Sequence, residues 1–282
     1  MANLCTALIP FSKIERIQIY MNTNRRNTLA DIKKATGADY ILNGTLYDMA
    51  TGSAVCHLKA DGERYCSPAY AVHGYAWDAP GDFRLEILPN VPLTGDIDRQ
   101  NYIACSNLII DGVPVAEPCK DPARRGKRGR TAIGIKDGCL ALYCSKDGSC
   151  AARKPEALRD DLLDAGWESA IMLDGGGSSQ CDFLGDKVKS SRKVAHLILV
   201  YLKKEACPYK EPTKTVKRGS CGSGAKWVQW MLNKWRPGLA VDGIFGKDSS
   251  AALLDFQMAV FADPDDWDGK CGPRTRKALK ND

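Results

Sequence analysis

Ala170-Ile171-Met172-Leu173-Asp174-Gly175-Gly176-Gly177-Ser178-Ser179 is the stretch on which the reading of this 282-residue chain turns. Four apolar residues in a row read as a short buried strand, and that strand delivers a carboxylate directly into three glycines. Consecutive glycines lose backbone entropy on folding, roughly 0.5 to 1 kcal/mol each relative to Ala in regular structure, and a plain turn needs only one or two. The construction makes sense where main chain must lie close to a ligand, offering N–H groups and the Ser178 and Ser179 hydroxyls to oxygen acceptors. It is not a familiar nucleotide loop, because G-x-x-x-x-G-K-[ST] and G-x-G-x-x-G are both absent and Gln180 follows where a Lys would help. Nor are the serines esterase nucleophiles, since there is no G-x-S-x-G.

Working outward, a helix precedes the strand. It opens at Pro155, a favoured first helical residue, carries Leu158, Leu162 and Ala165 on one face, and is capped by Gly166. The run Val194 to Leu202 reads as another buried strand despite His196. Tyr40-Ile41-Leu42 leads into Asn43-Gly44-Thr45-Leu46-Tyr47-Asp48, a polar glycine-containing turn that a simple hairpin also explains. Arg130-Thr131-Ala132-Ile133-Gly134-Ile135-Lys136-Asp137-Gly138 joins a basic loop to a strand and a tight turn. Further strand-like runs occupy Ile14 to Met21, Phe83 to Leu88, Ile103 to Ile110 and Leu140 to Tyr143, with a first helix over Thr28 to Thr36. The expectation is an α/β or α+β domain with a mixed sheet over residues 1–202.

The whole chain is long enough for about two domains. Hydrophobic residues make up 44% and charged residues 26%, which excludes wholesale disorder. No stretch reaches the roughly 18 to 20 apolar residues of a membrane helix, so membrane insertion is not expected. No basic residue precedes the short apolar run at the start, which argues against a signal peptide. Net charge is +6, but it is concentrated: Lys120 to Arg130 holds six basic residues against Asp121, and Lys203 to Arg218 holds six against Glu205 and Glu211. A nucleic-acid-binding face would spread such charge along a helix or surface with a recognised motif, so nucleic acid is not expected. Two solvated loops account for the runs, unless the first faces a phosphate-bearing substrate. Twelve cysteines and three histidines include no C-x-x-C and no H-x-x-x-H, so neither a metal nor another cofactor is expected. Free thiols are expected in the producing cell, with oxidation after release left open.

Near the C-terminus the chain repeats itself. Asp242-Gly243-Ile244-Phe245-Gly246 with Ser249, Ala252 and Leu253 is matched by Asp268-Gly269-Lys270-Cys271-Gly272 with Thr275, Ala278 and Leu279. Both copies read D-G-x-x-G-x-x-[ST]-x-x-A-L: a tight turn, a relaxed residue, a helix start and a buried face. With the helical spacing of Trp227, Val228, Met231 and Leu232, this predicts a small all-α bundle of three helices over residues 219–282. The acidic residues Asp263, Asp265, Asp266 and Asp268 are not a calcium loop, because placing Gly269 sixth puts Pro264 first and Thr275 twelfth. Residues 203–218, rich in Pro and Lys, read as a linker. The segment from about Lys217 to Leu279 resembles the peptidoglycan-binding domain of cell-wall hydrolases, with Cys271 in place of the usual apolar residue.

The three upstream motifs, taken in order, resemble the phosphodiester glycosidase family. The match rests on Arg130 to Gly138, on Leu173 to Ser179, on the trailing strand with Arg192, Val194 and His196, and on a divergent first motif at Asn43 to Tyr47. The resemblance implies hydrolysis of an α-linked N-acetylglucosamine from a phosphodiester at the sugar C1–O bond. A phosphate ester is a good leaving group and needs less protonation than an ordinary glycoside oxygen. Such a site wants a carboxylate and cationic donors for the phosphate. The expected catalytic residues are Asp174 as carboxylate, Arg130 as a two-pronged phosphate clamp and Asp48 as a second carboxylate. His196 is either a proton carrier or a satisfied core residue. Asn43, Gly44, Tyr47, Gly175, Gly176, Gly177, Ser178, Ser179 and Arg192 are expected to shape the substrate surface.

The sequence therefore reads as a monomeric glycoside hydrolase directed at the bacterial cell wall. Its partner is peptidoglycan or another wall polysaccharide, gripped by the C-terminal domain. A wall-binding module without an export signal suggests a phage or prophage endolysin, made in the cytoplasm and acting at the wall after release. The alternative is a wall-binding protein that recognises sugar phosphate without cutting it.

Overall fold

The structure, a computed structural model, describes residues 2–66, 68, 72–88, 99–204 and 206–281. The chain divides into two compact units, Met1–Lys203 and Lys204–Asp282.

In the first unit the strands are Leu4–Pro10 (β1), Ile14–Met21 (β2), Tyr40–Asn43 (β3), Leu58–Ala60 (β4), Glu63–Cys66 (β5), Val72–Trp77 (β6), Arg84–Leu88 (β7), Asn101–Ala104 (β8), Ser106–Ile110 (β9), Val113–Pro114 (β10), Thr131–Lys136 (β11), Cys139–Ser145 (β12), Ser169–Met172 (β13), Cys181–Phe183 (β14), Asp186–Val188 (β15) and His196–Leu202 (β16). Two helices accompany them, Leu29–Thr36 (α1) and Pro155–Asp164 (α2). The strands form three sheets, ordered β1-β12-β11-β13-β9-β10, β15-β14-β3-β16-β2 and β5-β4-β8-β6-β7. Strands and helices are thus mixed within one α/β-rich body, while every pairing between these strands is antiparallel. Of the two classes left open by the sequence, α+β describes those ladders.

Local chemistry explains the elements. Thr28 caps α1 reciprocally with Asp31: its hydroxyl accepts the Asp31 N–H, and its own N–H donates to the Asp31 carboxylate. Gly37 ends the helix in the left-handed region. Alternation along the strands divides the core. Ile133, Ile171, Ile198 and Val200 share the central cluster with Trp77 and Phe83. Their neighbours Ala132, Ala170 and Met172 face Leu158 and Leu162 of α2 on the outer side of the first sheet. Leu197 and Leu199 face Ile32 of α1 on the outer side of the second. The unbroken apolar run of β16 follows from this, because both of its faces are covered. The run from Ile103 to Ile110 is not one strand: β8 belongs to one sheet and β9 to another, and Cys105 lies at the switch.

The second unit contains Ser223–Trp235 (α3), Lys247–Val260 (α4) and Pro273–Asn281 (α5), with Trp227, Val228, Leu232, Phe245, Leu253, Phe256 and Cys271 in its core. The repeat is closed by two matching side-chain clasps. The Gln229 amide donates to the Asp242 carboxylate, the Ile244 carbonyl and the Ser249 hydroxyl, and accepts the Gly243 N–H. Gln257 does the same with Asp268, Lys270, Thr275 and Gly269. From Cys207 to Val216 the expected linker, residues 203–218, is packed onto the second unit and is not free chain. Val216 is buried and bridges to Cys271, Cys207 and Tyr209 pack against the helical core, and Glu211 pairs with Lys280 and Arg276. Isolated anchors of this kind leave no apolar period for a sequence reading to find.

Candidate functional site

Asp174 follows β13, whose neighbours β11 and β9 carry the basic loop and the sheet switch to the same sheet end. Around it lies a cavity of about 380 Å³ lined by Leu46, Cys105, Ser106, Ala123, Arg124, Arg128, Arg130, Asp147, Met172, Leu173, Asp174, Gly175 to Gly177 and Arg192. Four guanidinium groups against two carboxylates make it a cationic cleft, suited to an anionic ligand.

The three glycines have separate reasons. A Cβ on Gly175 would meet the Gly129 carbonyl oxygen at 2.9 Å and Arg130 Nη1 at 3.3 Å. Gly176 has φ +60, and a Cβ on Gly177 would meet Arg192 Nη2 at 3.0 Å. The close approach they permit is largely to the protein itself, and the loop offers fewer free donors than expected. The Gly175 N–H donates to the Asp174 carboxylate, that of Gly176 to the Gly129 carbonyl, and those of Ser178 and Ser179 close a short turn onto Gly175 and Gly176. The Ser178 hydroxyl binds the Asp174 side chain and accepts from Arg192 Nη1. Ser179 is buried, and its hydroxyl has no protein partner.

Burial pushes the Asp174 carboxyl above the ordinary range, opposed by hydrogen bonds from Ser178 and Gly175 and by the charges of Arg192 and Arg124. A carboxylate so placed is poised to exchange a proton or attack an electrophilic carbon.

Asn43 joins the motifs rather than presenting itself to the cavity. It is fully buried; its amide donates to the Asp174 carbonyl, and its oxygen accepts from the Thr131 hydroxyl and the Gln180 N–H. Gly44 donates to the His196 carbonyl and accepts the Asp174 N–H. Side chains are excluded there, since a Cβ would stand 2.7 Å from His196 Nδ1.

Several expected residues occupy other places. The Arg130 fork is mostly spent: its Nε donates to the Arg153 carbonyl and its Nη2 to those of Arg124 and Gly126. Buried at the start of β11, it must satisfy its donors locally, so it organises the basic loop and leaves only its Nη1 side toward the glycines. Asp48 does not line the cavity. Its carboxylate is exposed and accepts from Ala50 N, Thr51 N and the Thr51 hydroxyl, closing its own turn. Tyr47 is buried edge-on against His196 with its hydroxyl unpartnered, while Leu46 takes the cavity position. His196 is buried too, and neither ring nitrogen has a protein partner. Desolvation lowers its pKa to about 4, which keeps the ring neutral and makes it a core residue. Arg192 does line the cavity.

Sequence reasoning missed Asp147 and did not single out Arg124 and Arg128. The Asp147 carboxylate accepts the Gly129 N–H, which sets it across from the start of β11. Counting back from the Asp137-Gly138 turn pairs Thr131 with Cys144, and so brings Asp147 beside Gly129. That hairpin arithmetic was available in the sequence.

A family model described as phosphodiester glycosidase matches residues 18–201. None of the curated proteins matches the chain. Among solved structures, the catalytic domain of zebrafish N-acetylglucosamine-1-phosphodiester alpha-N-acetylglucosaminidase, auto-inhibited by its pro-peptide, is 16% identical with a TM-score of 0.56, covering 71% of this chain and 84% of that one. A hypothetical protein from Synechocystis is 13% identical with a TM-score of 0.58, covering 71% and 59%. A putative exported protein from Burkholderia pseudomallei is 12% identical with a TM-score of 0.50, covering 70% and 73%. At these identities the likeness is one of fold.

Proposed function

The chain belongs to the phosphodiester glycosidase family, and from that premise we propose that its N-terminal unit hydrolyses an N-acetylglucosamine-type sugar from a phosphodiester or wall glycan. The observation that carries the reading is a desolvated carboxylate, Asp174, in a cleft walled by Arg124, Arg128, Arg130 and Arg192. The three arginines other than the largely engaged Arg130 hold the phosphate, and the leaving ester departs with its charge already neutralised. Asp174 attacks the anomeric carbon or takes the proton of the attacking water, and Asp147, in place of Asp48, is the second carboxylate. Asn43 and Gly44 hold the Asp174 main chain in position.

The C-terminal unit binds peptidoglycan in this proposal, supported by the repeated D-G-x-x-G turns and their glutamine clasps. Tethering raises the local concentration of wall substrate around the hydrolase. The protein then acts at the bacterial wall as a monomeric, cofactor-independent endolysin of phage or prophage type, released from the cytoplasm at lysis.

Purified wall incubated with wild type and with Asp174→Asn tests both halves. The expected result is sugar release by the wild type alone, cosedimentation of both with the wall, and fragments whose masses identify the cut bond. No release by either, with both pelleting, would leave a wall-binding protein only. Release by Asp174→Asn at the wild-type rate would remove Asp174 from the mechanism.

A further inference from the structure

We propose that Cys105 and Cys56 form a thiol–disulfide modification site in the wall of the cavity, closing to a cross-strand bridge when a low-molecular-weight disulfide reaches Cys105. Leu58 pairs with Ile103 and Lys59 with Tyr102, and the Ala104 N–H donates to the His57 carbonyl, so the two chains carry Cys56 and Cys105 toward each other just beyond the ends of β4 and β8. The Ala104–His57 hydrogen bond continues the ladder pattern one step past Leu58 and Ile103, and in an antiparallel pair the position beyond such a bond is a non-hydrogen-bonded one, where Cα atoms approach to about 4.5 Å. A disulfide needs roughly 4.4 to 6.8 Å. The Cys105 thiol is hydrogen-bonded to Cys56, so the side chains already face one another.

Position separates this pair from the other close thiols. Cys5, Cys144 and Cys181 are also neighbours, but all three are enclosed in the central core. Cys105 lies at the switch between two sheets and lines the cavity beside Ser106, Leu46 and Asp174. A reagent small enough for the cleft therefore meets a thiol whose resolving partner stands behind it.

The small disulfide is the two-electron oxidant. Deprotonated Cys105 attacks one sulfur of the small disulfide and expels a first thiolate, which takes up a proton. Cys56 then gives its proton to solvent and attacks Cys105 Sγ, expelling the second. Two protein thiols are oxidised to one disulfide and the small disulfide is reduced to two thiols. The hydrogen bond with Cys56, together with burial, holds Cys105 protonated at neutral pH, so the reaction is slow there and speeds up as pH rises.

Full-length protein is incubated with oxidised glutathione at pH 7 and pH 9, quenched in acid, alkylated and digested without reduction. The expected product is a Cys56–Cys105 linked peptide pair, two hydrogens lighter, forming faster at pH 9. Cys56→Ser is expected to trap glutathione on Cys105 instead. The proposal is overturned if Cys56 and Cys105 of the wild type stay fully alkylatable while the exposed Cys150 and Cys221 take up glutathione. Pairing of Cys105 with any other cysteine overturns it equally. If Cys56→Ser does not fold, the wild-type peptide map alone decides.

Discussion

Acidification from pH 7 to pH 4 should withdraw stability through a single imidazole. His196 is 1% exposed, its two nitrogens lack protein partners, and burial lowers its pKa from 6.5 to about 4. In the unfolded chain the ring takes a proton as pH falls through its ordinary value, whereas in the folded unit it resists until about pH 4. The unfolded state therefore binds more protons across that window. Stability is present above it and is lost as pH drops through it. At about 1.4 kcal/mol per pH unit, the loss amounts to about 3 kcal/mol by pH 4 and about 2 kcal/mol already at pH 5. Other groups titrate over the same range, so the comparison variant is His196→Phe, which keeps an aromatic edge against Tyr47 and deletes both nitrogens. Urea unfolding of the N-terminal unit at pH 7, 6, 5 and 4 should show the two proteins diverging steadily, with the variant flatter. Parallel curves for wild type and variant would refute the buried neutral imidazole. Sugar release at pH 7 should survive in His196→Phe, because the ring does not line the cavity.

Asp174→Asn should unfold at higher urea than wild type at neutral pH. The folded carboxyl is harder to ionise than the unfolded one, so its ionisation costs stability as pH rises through the folded value, and the two proteins should converge below pH 3.8. Equal midpoints at pH 7 would contradict this. Gly44→Ala should cost about 1 to 3 kcal/mol by overpacking against His196, and should also slow sugar release by shifting the carbonyl that accepts the Asp174 N–H. An unchanged thermal midpoint would rule out the steric account. Gln229→Ala and Gln257→Ala should each destabilise the C-terminal unit by about 1 to 3 kcal/mol in calorimetry, since each leaves a loop glycine N–H without its acceptor. A large cost from one and none from the other would show that the clasps are not equivalent.

The parts of the fold written in local code were legible in the sequence. Thr28 with Asp31, Pro155 with Gly166, and the Asp137-Gly138 turn each specify their element within a few residues, and the D-G-x-x-G repeat does so twice. The approach of Asp174 to the basic loop was implied by the family resemblance of the two motifs, since the strand-to-glycine construction by itself names no partner. The fate of each side chain was not. The spacing around Arg130 does not say that three carbonyls will absorb its fork, nor that Asp48 will close its own turn. Those outcomes depend on which neighbouring main chain arrives, and that is settled by sheet order. The switch at Cys105 was hidden for the same reason: Ile103 to Ile110 is apolar throughout, and only tertiary packing divides it between two sheets.

Each glutamine clasp fixes the backbone of the loop beneath it from the side, through one amide, and makes no demand on the loop's tip. The tip residues differ in chemistry, an outward-facing Ile244 in one copy and Lys270 in the other, while the frame under them is the same. Such a frame behaves as an interchangeable mount: a new side chain can be tried at either tip without rebuilding its support. A unit assembled from two such mounts can vary what it presents to solvent by changing single residues.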